Sequence, residues 1–172
     1  MRNKRLIAVA MMGLALVVGS ATTTTATAKD GSNLEIQAMT GIPAAYTGAA
    51  PAVRGLNGGG LPWVIGSVDG EVSRSGKVEL EFRGLVFDPA DPAVIARGVG
   101  GTNPVGVMKV VVSCLARDGS VANVSTPTFP VTTGAGGGDG SVEAKVSLPS
   151  PCLAPIVFIT TANDRWLAVS SL

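Results

Sequence analysis

Residues Lys77–Arg83 alternate strictly between apolar and charged: Val78, Leu80 and Phe82 against Lys77, Glu79, Glu81 and Arg83. Side chains along a β-strand point to opposite faces in turn, so this pattern predicts a strand with one face in the core and one in water. Gly84–Phe87 continues it. Ser141–Leu148 repeats the alternation, with Val142, Ala144, Val146 and Leu148 directed inward, and Leu34–Met39 shows it over a shorter span. Val107–Leu115 differs in kind. It is apolar and β-branched almost throughout, broken only by Lys109 and Ser113, which predicts a central strand covered on both faces. Pro155–Thr161 is a second strand of that sort, and Arg165–Ser170 closes the series. Trp63–Ser73 reads as strand with Asp69-Gly70 as a bulge or tight turn. Arg117–Ser120 is a hairpin turn into Val121–Val124. Phe129–Thr133 is a short edge strand, because Pro130 has no N–H for a ladder.

Breakers separate these runs. Gly41–Pro62 is rich in Gly, Ala and Pro and holds Gly58-Gly59-Gly60, which predicts a long loop; such loops are functional or mobile. Gly98–Gly106 and Gly134–Gly140 are glycine-rich connections. A short helix is expected where Asp91 supplies a cap, Pro92 a first helical position and Gly98 a stop. About eight strands with short turns and almost no helix specify an all-β fold. The expected form is a two-layer antiparallel β-sandwich of immunoglobulin-like appearance, with a closed β-barrel as the alternative.

The first residues follow another logic. Met1–Arg5 is basic, Leu6–Val18 is apolar and uncharged, and a threonine-rich stretch ends in Ala26-Thr27-Ala28. This is the order of a secretory signal peptide, cleaved between Ala28 and Lys29; Gly19-Ser20-Ala21 offers a second cut. A membrane anchor is the alternative, but the apolar run is shorter than the ~20 residues a spanning helix needs. Of 172 residues, removal of 28 leaves 144, the size of one domain (29–172) with a flexible tail at 29–33. No span remains after the signal. The expected location is secreted, outside the cytoplasm.

Charge narrows the partners. Thirteen basic residues stand against twelve acidic; the signal takes three of the bases, so ten face twelve and the mature chain carries −2. Nucleic acid is therefore not an expected partner, since phosphate binding needs a basic face. The two cysteines, Cys114 and Cys152, are expected to form a disulfide in an oxidising compartment. A redox or metal role would want C-x-x-C or histidine, and the chain contains no histidine.

Candidate chemistry is sparse. Without histidine there is no Ser-His-Asp or Cys-His site. Carboxylate catalysis is the remaining route, with Asp69 and Glu71, or Glu79 and Glu81, as the nearest pairs; their two-residue spacing puts each pair on one strand face, where a solvated surface is the simpler role. Asp88 and Asp91 suit turns and capping better than calcium. Gly134–Gly140 lacks the Gly-Lys-Ser/Thr of a phosphate loop, and no cofactor is expected. Trp63 and Tyr46, beside the long loop, are the candidate ligand patch, against the simpler role of a packed tryptophan.

Gly58–Ile65, Arg83–Val86, Gly101–Val105, Val112–Cys114, Pro149–Cys152 and Ala154–Ile159 together resemble a group of uncharacterised secreted bacterial proteins over roughly residues 40–170. The resemblance implies no activity and no site residue, and it supports pairing Cys114 with Cys152. The expected function is that of a secreted, non-enzymatic module binding an extracellular or envelope ligand. A small carboxylate hydrolase and a purely structural envelope component are the alternatives.

Overall fold

The computed structural model describes residues 33–48 and 52–170. The expected signal peptide, the expected Ala28–Lys29 cut and most of the expected tail lie outside the described residues. The strands are β1 (Leu34–Ile36), β2 (Met39–Gly41), β3 (Trp63–Val64), β4 (Ser67–Val72), β5 (Lys77–Arg83), β6 (Val86–Phe87), β7 (Thr102–Asn103), β8 (Val107–Leu115), β9 (Val121–Ser125), β10 (Phe129–Pro130), β11 (Gly134–Ala135), β12 (Gly140–Lys145), β13 (Leu153–Thr161) and β14 (Trp166–Ser170). One four-residue helix, α1 (Pro92–Ile95), is capped by Asp91, whose carboxylate accepts from the Ala93 and Val94 amides.

Two antiparallel sheets pack together, and neither closes into a barrel. The first runs β1-β4-β5-β12. The second runs β10-β8-β13-β14-β2, with β9 also paired to β8. The core lies between Val78, Leu80 and Phe82 of the first sheet and Met108, Val110, Val112, Val157 and Ile159 of the second. Phe82 meets Phe129 edge to face at 6.1 Å. The sheets join at one corner, where Val131 bridges Gly140.

Strands are more numerous than the eight expected: three long runs divide, and the glycine-rich connections Gly98–Gly106 and Gly134–Gly140 contribute β7 and β11, which pair with each other. Leu34–Met39 separates into β1 and β2, which belong to opposite layers. Trp63–Ser73 divides at Ile65-Gly66, and Lys77–Phe87 at Gly84, whose φ of 64° takes the chain out of extended geometry. Asp69-Gly70 is neither bulge nor turn. Both residues sit in register inside β4, opposite Glu81 and Leu80, and a side chain at Gly70 would collide with the Glu79 carbonyl and Leu80.

Lys109 and Ser113, four apart on β8, share its outward face with Phe158 and Trp166. The described residues 44–48 and 52–58 lie over this face. Asn123 donates to the Arg54 carbonyl at 2.9 Å, Arg54 donates to the Ala154 carbonyl at 3.1 Å, and Gly58 bridges Trp166. The described part of the Gly41–Pro62 segment is thus built into the domain, with Ile42 and Leu56 buried.

Cys114 and Cys152 are bonded, with Cα atoms 4.9 Å apart. The bridge ties the end of β8 to the Pro149–Cys152 turn that leads into β13.

Candidate functional site

The expected patch of Trp63 and Tyr46 is divided. Trp63 is 4% exposed and Tyr46 39%. Trp63 begins β3 and packs on Phe87 of β6 with ring centroids 4.6 Å apart. Tyr46 closes a 3-10 turn, Ala44–Tyr46, and leans on Trp166 at 6.2 Å. The glycine run separates them. A Cβ at Gly58 would strike the Tyr46 carbonyl and the Ile42 side chain, and one at Gly59 would come within 2.9 Å of Leu167 and 3.4 Å of the Trp63 indole nitrogen. These two glycines are dictated by close packing. The simpler role, a packed tryptophan, describes Trp63.

Trp63 nonetheless forms a wall of a crevice at one end of the sandwich. The cavity has about 290 Å³ and is bounded by Gly59–Leu61, Trp63, Phe87, Pro104, Val105 and Leu167, with Arg97 and Arg165 at its polar side. Arg97 follows α1, whose cap and terminal Gly98 (φ 67°) fix where the helix stops. Arg165 sits in the β13–β14 turn, where its amide donates to the Thr161 hydroxyl at 3.2 Å. Among the described residues its guanidinium reaches the Gly48 carbonyl alone, at a long 3.4 Å. Arg97 has no side-chain partner among the described residues. No carboxylate of the described residues lines the crevice. The nearest acid in sequence, Asp164, is taken by Lys109 at 2.8 Å. Two guanidinium groups beside an apolar wall therefore stand without a counter-ion among the described residues. The sequence offered no signal for this, since Arg97 and Arg165 are 68 positions apart and neither belongs to a motif.

The carboxylate pairs lie elsewhere. Asp69 faces Glu81, and Glu71 faces Glu79, across neighbouring strands of the first sheet on its solvent side. A groove of about 670 Å³ does bring Glu81 together with Asp139 from a separate segment. Glu81 is held by Arg83 at 2.9 Å, and Asp139 accepts from the Gly84 amide at 2.9 Å. Arg83 is raised above its ordinary value, first by its hydrogen bond to Glu81 and then by the charges of Glu81 and Asp139. General acid catalysis near neutral pH wants a carboxyl kept protonated by burial. Glu81 and Asp139 are both exposed, and Glu81 is paired with Arg83, so the groove is a salt-linked surface.

Other singled-out groups have structural duties. Asp88 accepts from the Ala90 amide, at 2.9 Å, and Asp91 caps α1. Gly134-Ala135 of the glycine-rich loop pairs with β7. Asn103 is fully buried and satisfied, donating to the Val105 and Thr132 carbonyls and accepting from the Val105 amide. No helix among the described residues is long and apolar enough to cross a membrane. No family model matches the chain, and no curated protein or solved structure matches it either.

Proposed function

We propose that this protein is a secreted, non-enzymatic β-sandwich that binds an extracellular or envelope ligand in the crevice beside Gly59–Leu61. The carrying observation is the pair Arg97 and Arg165, uncompensated by any lining carboxylate, against the apolar wall of Trp63, Phe87 and Leu167. Loops held by a rigid sheet are where binding groups concentrate, and pockets of this kind combine an apolar lining with a few polar groups that fix orientation. The chemistry fits an anionic group, such as a carboxylate, carried on a small apolar body. Guanidinium forks bind carboxylates through paired hydrogen bonds. The Cys114–Cys152 bridge and the N-terminal signal pattern support a site of action outside the cytoplasm.

Decanoate and decanol test this reading, with tryptophan fluorescence as the readout because Trp63 lines the crevice. Decanoate should shift the emission saturably and decanol should not. The double variant R97A/R165A should abolish the response while its circular dichroism stays unchanged. A folded protein that ignores decanoate, or a double variant that responds like wild type, would overturn the assignment.

A further inference from the structure

Among the described residues, the outer edge of β12 is open except at its start, where Val131 bridges Gly140. Which backbone groups face outward follows from one hydrogen bond: the Val146 amide donates to the Gly76 carbonyl at 2.8 Å. In an antiparallel ladder the groups of successive residues point to alternate sides. Val142 and Ala144 therefore bond toward β5, and the N–H and C=O of Glu143 and Lys145 point away from the sheet. Nothing among the described residues pairs with them.

We propose that β12 pairs antiparallel with β12 of a second copy, about a two-fold axis through Ala144. The charges choose this register. Free groups sit on odd-numbered residues, so odd must pair with odd. Glu143 opposite Glu143, or Lys145 opposite Lys145, would stack like charges, which is destabilising across strands. Centring on Ala144 sets Glu143 opposite Lys145 of the second copy, twice, and puts the smallest side chain of the segment at the axis.

The rest of the sheet face agrees. The strand registers align Glu35, Glu71, Glu79 and Glu143 in one row across four strands, and Lys77 beside Lys145 in the next. Within one copy, Lys77 reaches Glu79 at 2.6 Å and Glu143 at 3.5 Å, and Asn33 donates to Glu71. Pairing about Ala144 runs the acidic row of each copy into Lys145 and Lys77 of the other. It also extends the inner face, where Val142 is half-buried at the edge. The overlap is short, Val142 to Val146, because β10 occupies the edge beyond. Four backbone hydrogen bonds across so small a contact specify a dimer that exchanges with monomer.

Sedimentation velocity of the protein over a wide concentration range tests this, with E143K, the double swap E143K/K145E, and wild type at high salt. Wild type should approach twice the monomer mass as concentration rises. E143K, which sets Lys against Lys, should weaken association at least tenfold. The double swap should restore it, and high salt should weaken wild type. A chain that stays monomeric at every concentration overturns the proposal, even if the edge accepts an unrelated extended peptide. So does association that E143K leaves unchanged or that the double swap fails to rescue. The exposed position of Glu143 keeps E143K folded, which circular dichroism checks.

Discussion

The outward faces of the two sheets have opposite fates. The first sheet shows water a row of glutamates with Lys77 and Arg83 among them. The second hides its outer face under residues 44–48 and 52–58, so that β8 is buried on both sides over Val110–Cys114. A charged side chain on the open face has solvent as a partner and is replaceable. On the covered face, Lys109, its side chain only 14% exposed, has Asp164 as its partner. Identical strand geometry thus carries different constraints, depending on what lies above it.

Removing the cover's anchor should break this contrast most sharply. Trp166 is 2% exposed and lies between Tyr46 and Phe158, with ring centroids 6.2 Å and 6.1 Å away. Trp166→Ala is expected to cost about 3–5 kcal/mol, read as a lowered urea midpoint at unchanged slope. Glu71→Ala on the open face should stay within about 0.5 kcal/mol. Equal effects would show that the cover contributes no packing.

The disulfide belongs to the covered sheet and closes a separation of 38 residues. The double variant C114A/C152A should lose roughly 3.5–4 kcal/mol by the chain-entropy argument, and denaturing thiol titration of wild type should find no free thiol.

Asp164→Asn tests the covered charge. Asn accepts the positive φ of 59° found there, so the substitution removes the charge and keeps the turn. Because the Asp164 side chain is 51% exposed, the expected loss is modest, about 0.5–1 kcal/mol. Glu79→Gln on the open sheet should be close to neutral at pH 7.

Alkaline titration gives the smallest effect. Lys77 is raised above its ordinary 10.5, first by its hydrogen bond to Glu79; desolvation opposes this next, and the charges of Glu79 and Glu143 add to the rise. A folded-state value above the unfolded one stabilises fully below about 10.5 and is lost as pH rises through the higher value. Wild type should therefore show a slight fall in melting temperature above pH 10.5 that K77M lacks. An identical slope in both would remove the ion pair from the account.

Alternation and breakers determined the all-β class, the inward faces of β5 and β12, the two-sided burial of β8 and the Asp91-Pro92 helix start, because these depend on neighbours within a few residues. Cys114 and Cys152 marked their own bond, since two lone cysteines in one chain have one possible partner each. Only the tertiary structure decided what covers the second sheet, why Gly58 and Gly59 must lack side chains, and where Leu34–Gly41 changes layers, for each depends on backbone approach between distant segments. It also decided that Trp63 is a wall and not an exposed patch, that Arg97 and Arg165 share a crevice, and that four glutamates from four strands form one row. Strand register and loop docking bring those residues together, and neither leaves a local trace in the chain.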